Sequence, residues 1–158
     1  MERWEPWRAL RAAGDAVELR WGDLPDERGR FERYATLDVI WLDASLSRRD
    51  RRAVLAHELI HRERGIGAPD ASPATMVREE AIVRAEVVRR LVPVAALQHI
   101  ADAWPDGAMP REIADHFDVP QDLAEAAMVA LTHRVEGHNV AFHDDADDDA
   151  CGLRGRSG

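Results

Sequence analysis

The sequence predicts an α+β fold, in which a small, mostly antiparallel N-terminal sheet is followed by a bundle of helices. Short segments rich in aromatic and β-branched residues occur before residue 43, separated by residues typical of turns. From residue 47 onward, apolar residues recur at helical spacing between Ser, Pro and Gly signals for helix ends. With 158 residues, of which 46% are hydrophobic, the chain can bury a core without a disulfide or a structural metal.

The N-terminal part is predicted to hold one helix and three strands. The helix covers residues 4–13 and ends before Gly14, a residue that favours helix termination. Strands are predicted at 17–21, 31–35 and 37–42. The segment GDLPDERGR between the first two strands consists of residues typical of turns.

The helical part begins with a capping signal. Ser47 and Asp50 form a Ser-x-x-Asp pattern, and this helix is predicted to end at Gly65. Ser72 followed by Pro73 is typical of a second helix start, and that helix should run to about residue 92. The remaining predicted helices cover 93–104, 110–117 and 120–133.

Composition excludes several classes of function. The net charge of −9 disfavours nonspecific nucleic-acid binding, and all 21 basic residues are arginines, which excludes Schiff-base lysine chemistry and a phosphate-binding P-loop. No apolar run is long enough to span a membrane, and the N-terminus does not resemble a signal peptide. The single cysteine, Cys151, cannot form an internal disulfide, so we expect a cytoplasmic protein. One domain is predicted over 1–135, followed by an acidic, disordered tail over 136–158.

Residues 110–133 resemble a helix-turn-helix pair. DNA contact would require positive charge on the second helix, but one arginine against five acidic residues gives this segment a formal charge of −4. We therefore expect a structural helix pair that closes the core, without direct contact to nucleic acid.

The segment most informative about function is His57-Glu58-Leu59-Ile60-His61, an HExxH motif on a predicted helix. Residues four apart share a helix face, so both imidazoles can reach one zinc ion, and Glu58 lies beside them as a candidate general base. Because bare HExxH also occurs by chance, the alternative is a helix with two incidental surface histidines.

A third ligand would distinguish these readings, and the next helix offers Glu79, Glu80 and Glu86. On a helical wheel Glu80 falls within the apolar stripe, whereas the other two lie nearer the arginine-rich side. A carboxylate on a buried stripe is costly unless it is paired or binds a metal, which favours Glu80 as the ligand. The alternative is a buried Glu80 paired with Arg84.

These motifs resemble the ImmA/IrrE family of metallopeptidases, small zincin-like enzymes of phages, mobile elements and bacterial stress regulators. The resemblance is carried by ViWLDasLsrrdRRavLAHELiHrErG at 39–65 and REEAivrAEvvRRLVP at 78–93, and covers about 15–135. It implies a zincin-like single domain in which His57, His61 and Glu80 bind Zn²⁺ and Glu58 acts as general base. The implied function is a zinc endopeptidase that cleaves a partner helix-turn-helix repressor.

The chain departs from the family at two positions. Many members have Gly at the position of Ile60 and Asn or Asp at that of Arg84. The residue that stabilises the oxyanion stays open among Tyr34, His133 and His138. Two rival functions also stay open: a zincin-fold regulator that binds a repressor without cleaving it, and a metal-free scaffold that is paired with a DNA-binding protein.

Overall fold

The computed structural model of the chain describes residues 3–65, 72–103 and 107–135. In these ranges the predicted α+β class is confirmed, with six helices and a three-stranded mixed sheet, 63% helical. The helices are α1 (Pro6–Ala13), α2 (Arg48–Arg64), α3 (Pro73–Leu91), α4 (Val94–Ala103), α5 (Pro110–Phe117) and α6 (Gln121–Val135), and the strands are β1 (Val17–Gly22), β2 (Gly29–Arg33) and β3 (Asp38–Asp43). The predicted tail, 136–158, lies outside the described residues, as does His138.

The sheet corrects the expectation of a mostly antiparallel arrangement. Its strand order is β1-β3-β2, with β1 parallel to β3 and β2 antiparallel to β3. The chain reverses direction between β1 and β2 and again between β2 and β3, so β1 and β3 run in the same direction and pair as parallel strands. The apolar strand β3, with Val39, Ile40 and Leu42 buried, takes the centre, and the more polar β1 and β2 form the edges.

Strand β2 begins at Gly29, two residues before the predicted start, because the end of the expected turn already pairs with β3. Gly29 lies opposite Leu42, and Phe31 lies opposite Ile40. The turn prediction failed at this glycine because pairing with β3, rather than local propensity, determines where the strand begins.

Helix α2 lies between the sheet and the other helices. Its start and end are as predicted, because the Ser47 hydroxyl accepts a hydrogen bond from the Asp50 N–H and Gly65 adopts a left-handed conformation with φ 70°. Leu55 and Leu59 belong to the apolar cluster beneath the sheet. Ala56 and Ile60 belong to the second cluster, which the helices build. The HExxH motif, residues 57–61, therefore lies on the central element of the fold.

Helices α5 and α6 close this second cluster, as predicted for a structural pair. Ile113, Phe117 and Val119 have no exposed surface, and Ala124 packs with them. That the pair does not contact nucleic acid stays a prediction.

The buried Arg52 connects α2 to the end of α5. Its guanidinium donates hydrogen bonds to the backbone carbonyls of Phe117 and Asp118 and pairs with Glu5 at 3.3 Å. Asp118 ends α5 in a left-handed conformation with φ 54°. The arginine thus satisfies carbonyls that the helix end leaves without a partner in α5.

No helix in the described ranges combines the length and the apolar character needed to cross a membrane.

Candidate metal centre

Helix α2 directs His57 and His61 toward the same point. The two residues are one helical turn apart, and their Nε2 atoms lie 3.0 Å from each other. Both side chains are about four-fifths buried, at 22% and 19% exposure. Burial lowers the pKa of His57, partly opposed by the charge of Glu80, and so favours the neutral imidazole that metals bind.

Glu80 of α3 provides a carboxylate opposite the two imidazoles. Its Oε1 lies 3.3 Å from His57 Nε2, and its Oε2 lies 3.4 Å from His61 Nε2. A tetrahedral zinc site with metal–ligand distances of about 2.0–2.1 Å has edges of ~3.3 Å between ligand atoms. The separation of the two imidazole nitrogens and the distance from each of them to its nearer Glu80 oxygen are close to this value, so the three residues could hold one metal ion.

The two other candidate carboxylates of α3 are engaged elsewhere. Glu79 pairs with Arg64 at 3.0 Å, and Glu86 pairs with Arg90 at 2.6 Å. Of the three alternatives that the sequence left open, the structure brings only Glu80 to the histidines.

The expectation that Glu80 is buried is wrong, although the expectation that it faces the histidines is confirmed. Its side chain is 43% exposed, and Met76 one turn earlier is 61% exposed. The apolar stripe of α3 is buried only from Val83 onward, where it meets the helical core. The wheel identified the correct face of α3, but the first turns of that face border an open cleft instead of the core.

Glu58 lies on the sheet side of the histidines and is 6% exposed. The backbone N–H of Phe31 in β2 donates to its carboxylate, and a Cβ added at Gly29 would lie 3.1 Å from Glu58 Oε1. Burial, together with the charges of Glu80 and Glu27, raises the pKa of Glu58 to about 8. A divalent cation held nearby would oppose this shift and favour the carboxylate.

The residues of the candidate centre line a cleft of about 1000 Å³ between β2 and the helices. Apolar side chains form part of its wall, and charged side chains of both signs border it. The apolar lining includes Phe31, Val54, Met76, Val87 and Leu123. A cleft of this size can take a segment of an extended peptide chain.

The candidates for oxyanion stabilisation do not border this cleft where they are described. Tyr34 is 55% exposed, and its hydroxyl donates to Glu32, away from the histidines. His133 is exposed near the end of α6. The cation beside the centre is Arg84, whose Nε lies 3.4 Å from Glu80 Oε1. From the sequence it is expected only as the alternative partner of Glu80 and as a departure from the family pattern, and not as a candidate for oxyanion stabilisation.

No protein-family model matches this chain, and a search of curated proteins finds no match. The resemblance to the ImmA/IrrE metallopeptidases therefore depends on the two sequence motifs, and the candidate metal centre depends on its own geometry.

Proposed function

We propose that the chain is a zinc-dependent endopeptidase of the ImmA/IrrE type. The observation that carries this proposal is the group of His57, His61 and Glu80, whose three ligand atoms lie within 4.8 Å of one another, beside the buried Glu58 carboxylate in an open cleft. A closed structural site would use a fourth protein ligand, whereas a catalytic zinc site keeps a position open for water or substrate.

In the proposed mechanism zinc supplies Lewis acidity that polarises a peptide carbonyl and makes water more acidic. His57, His61 and Glu80 would hold the ion. Glu58 accepts a proton from the attacking water as its oxygen bonds to the carbonyl carbon, and returns that proton to the nitrogen when the C–N bond breaks.

The proposed substrate is a helix-turn-helix repressor, by resemblance to the family, and its cleavage would release transcription. A non-cleaving regulator of the same repressor is the alternative. Incubation of the zinc-loaded protein with a repressor encoded beside its gene distinguishes the two, because the alternative leaves the bound repressor intact.

The metal centre is tested by zinc content of Glu80→Ala beside the wild type, with Glu79→Ala as the matched control. Both substitutions remove one carboxylate from neighbouring positions of α3, but Glu79 pairs with Arg64 instead of the histidines. We expect close to one zinc per chain in the wild type and the control, and much less in Glu80→Ala. Equal zinc content in all three proteins would contradict the assignment.

The role of Glu58 is tested by Glu58→Gln, which keeps the shape of the side chain but removes the proton acceptor. Because Glu58 is not one of the three ligands, zinc content should stay close to that of the wild type. Repressor cleavage should fall by a factor on the order of 10² to 10⁴, the range of general-base contributions. Cleavage at the wild-type rate would refute the mechanism.

A further inference from the structure

The cleft contains a cation whose position no step of the proposed mechanism uses. Arg84 follows Glu80 by one turn of α3, so both side chains border the same end of the cleft. Its side chain is 77% exposed, and its Nε lies 3.4 Å from Glu80 Oε1. The guanidinium is thus next to the candidate metal ligands while most of its surface faces solvent.

The other arginines that border the cleft have carboxylate partners outside the metal centre. Arg28 pairs with Asp50, and Arg30 pairs with Glu32 at 3.0 Å. Arg84 differs because its carboxylate partner is a candidate metal ligand. A carboxylate that shares its charge with a divalent cation attracts a neighbouring guanidinium less strongly, so metal binding would leave Arg84 donors available to another anion.

Arg84 and Glu58 approach the centre from different walls. Glu58 contacts β2, through the Phe31 N–H, whereas Arg84 belongs to α3. Water attacks a peptide carbonyl nearly perpendicular to the C=O bond, so the carbonyl oxygen lies to one side of the attacking water and does not point toward the Glu58 carboxylate. The α3 wall, where Arg84 lies beside Glu80, is one wall that this oxygen can meet.

We propose that Arg84 is a catalytic residue that donates hydrogen bonds to the oxyanion formed during peptide hydrolysis. The inference rests on the proposed function. When the water oxygen bonds to the carbonyl carbon, the π electron pair moves onto the carbonyl oxygen and the water proton passes to Glu58. Arg84 stays protonated throughout, and its contribution is electrostatic. When the C–N bond breaks, the electron pair returns to form the product carboxyl group and the proton passes to the leaving nitrogen.

A positioning role through Glu80 makes a different prediction about metal affinity. If Arg84 served to hold Glu80 in place, its removal would weaken metal binding. In the oxyanion role its removal leaves the three ligands intact and takes away a positive charge near the ion, so metal affinity stays the same or rises.

The test uses the full-length chain loaded with Co²⁺ and inorganic phosphate as a tetrahedral anion. Broadening of the ³¹P resonance by the paramagnetic ion reports phosphate close to the metal and gives its dissociation constant. Elemental analysis gives the cobalt content of each protein. The variants are Arg84→Met, Arg84→Lys and the matched control Arg78→Met, which removes an exposed arginine from the same helix outside the cleft.

We expect phosphate to bind at least ~10-fold more weakly to Arg84→Met, since a hydrogen bond to a charged group is lost. Arg84→Lys should recover part of the affinity, Arg78→Met should match the wild type, and all four proteins should hold about one cobalt per chain. With an intact repressor that the wild-type protein cleaves as substrate, kcat of Arg84→Met should fall by about 100-fold with little change in KM.

Three results would overturn the inference. One is phosphate affinity in Arg84→Met equal to that of the wild type, and another is a wild-type protein that holds cobalt but no phosphate. Loss of cobalt from Arg84→Met would assign the residue to positioning Glu80 instead. Failure of the wild type itself to bind cobalt would refute the metal centre and with it the proposed function, which separates that outcome from the other three.

Discussion

The edge strand β2 approaches α2 closely at Gly29, and an alanine there should destabilise the protein. A Cβ added to Gly29 would lie under 3.0 Å from Val54 Cγ1, a separation that real side chains essentially never show. It would also lie 3.2 Å from the Trp41 carbonyl oxygen, which belongs to the central strand and cannot yield easily. The clash must therefore be relieved by Val54 or by displacement of β2.

The size of the effect follows from this geometry. Ordinary carbon contacts are ~3.5–4.0 Å, so the two groups must separate by more than about half an ångström. Val54 is 9% exposed and, as a β-branched residue in a helix, has essentially one accessible rotamer. Overpacking of this kind costs about 1–3 kcal/mol, and we expect Gly29→Ala to lower the free energy of unfolding by that amount.

A double-mutant cycle with Val54→Ala isolates the clash. Val54→Ala alone should cost about 1–3 kcal/mol through lost burial and the space it leaves. In the double variant the new methyl group of residue 29 occupies part of that space, so its destabilisation should be at least about 1 kcal/mol smaller than the sum of the two single effects. Urea unfolding followed by circular dichroism measures all four proteins, and additive effects would refute the reasoning.

Two further predictions concern charged residues outside the cleft. Replacing the buried Arg52 by Met should lower the free energy of unfolding in urea by about 2–4 kcal/mol, because the carbonyl of Phe117 loses its hydrogen-bond donor. A decrease below about 0.5 kcal/mol, the usual limit for surface substitutions, would show that water takes the place of the guanidinium. Hydrogen bonds from Arg89 and Arg90 lower the pKa of Glu86 from 4.5 to about 2. The stability from Glu86 is thus present above pH 4.5 and lost as the pH falls toward 2. The difference in unfolding free energy between wild type and Glu86→Gln should therefore shrink over this interval, by only about 1 kcal/mol because Arg89 is largely exposed, and a difference independent of pH would contradict the assignment.

The parts of the fold that the sequence predicts well are those that short-range signals determine. The bounds of α2 follow from the Ser47 cap and from Gly65, whose left-handed conformation ends the helix. The two histidines of the candidate site also lie within this one helix, so their shared face follows from its periodicity alone.

What the sequence could not predict depends on long-range packing. The parallel pairing of β1 and β3 results from the burial of β3 at the centre of the sheet, which no local pattern encodes. The exposure of Glu80 has a similar origin, since the stripe of α3 meets the core only from Val83 onward. The position of Arg84 in the cleft also depends on how α3 packs against the rest of the fold. Its spacing of one helical turn from Glu80 was the signal in the sequence that could have placed it there.

The exposure of Glu80 bears on the kind of metal site that these residues can form. A fully buried Glu80 would need a partner because an unpaired buried carboxylate is costly, but at 43% exposure much of that cost is absent. The cost of burial therefore does not explain why Glu80 lies close to both histidines. The packing of Val83 and Val87 explains it, because these residues hold α3 against α2. Structural zinc sites are closed and have four protein ligands, whereas this group offers three ligand atoms at the border of a cleft. The openness that contradicts the burial argument thus favours a catalytic site over a structural one.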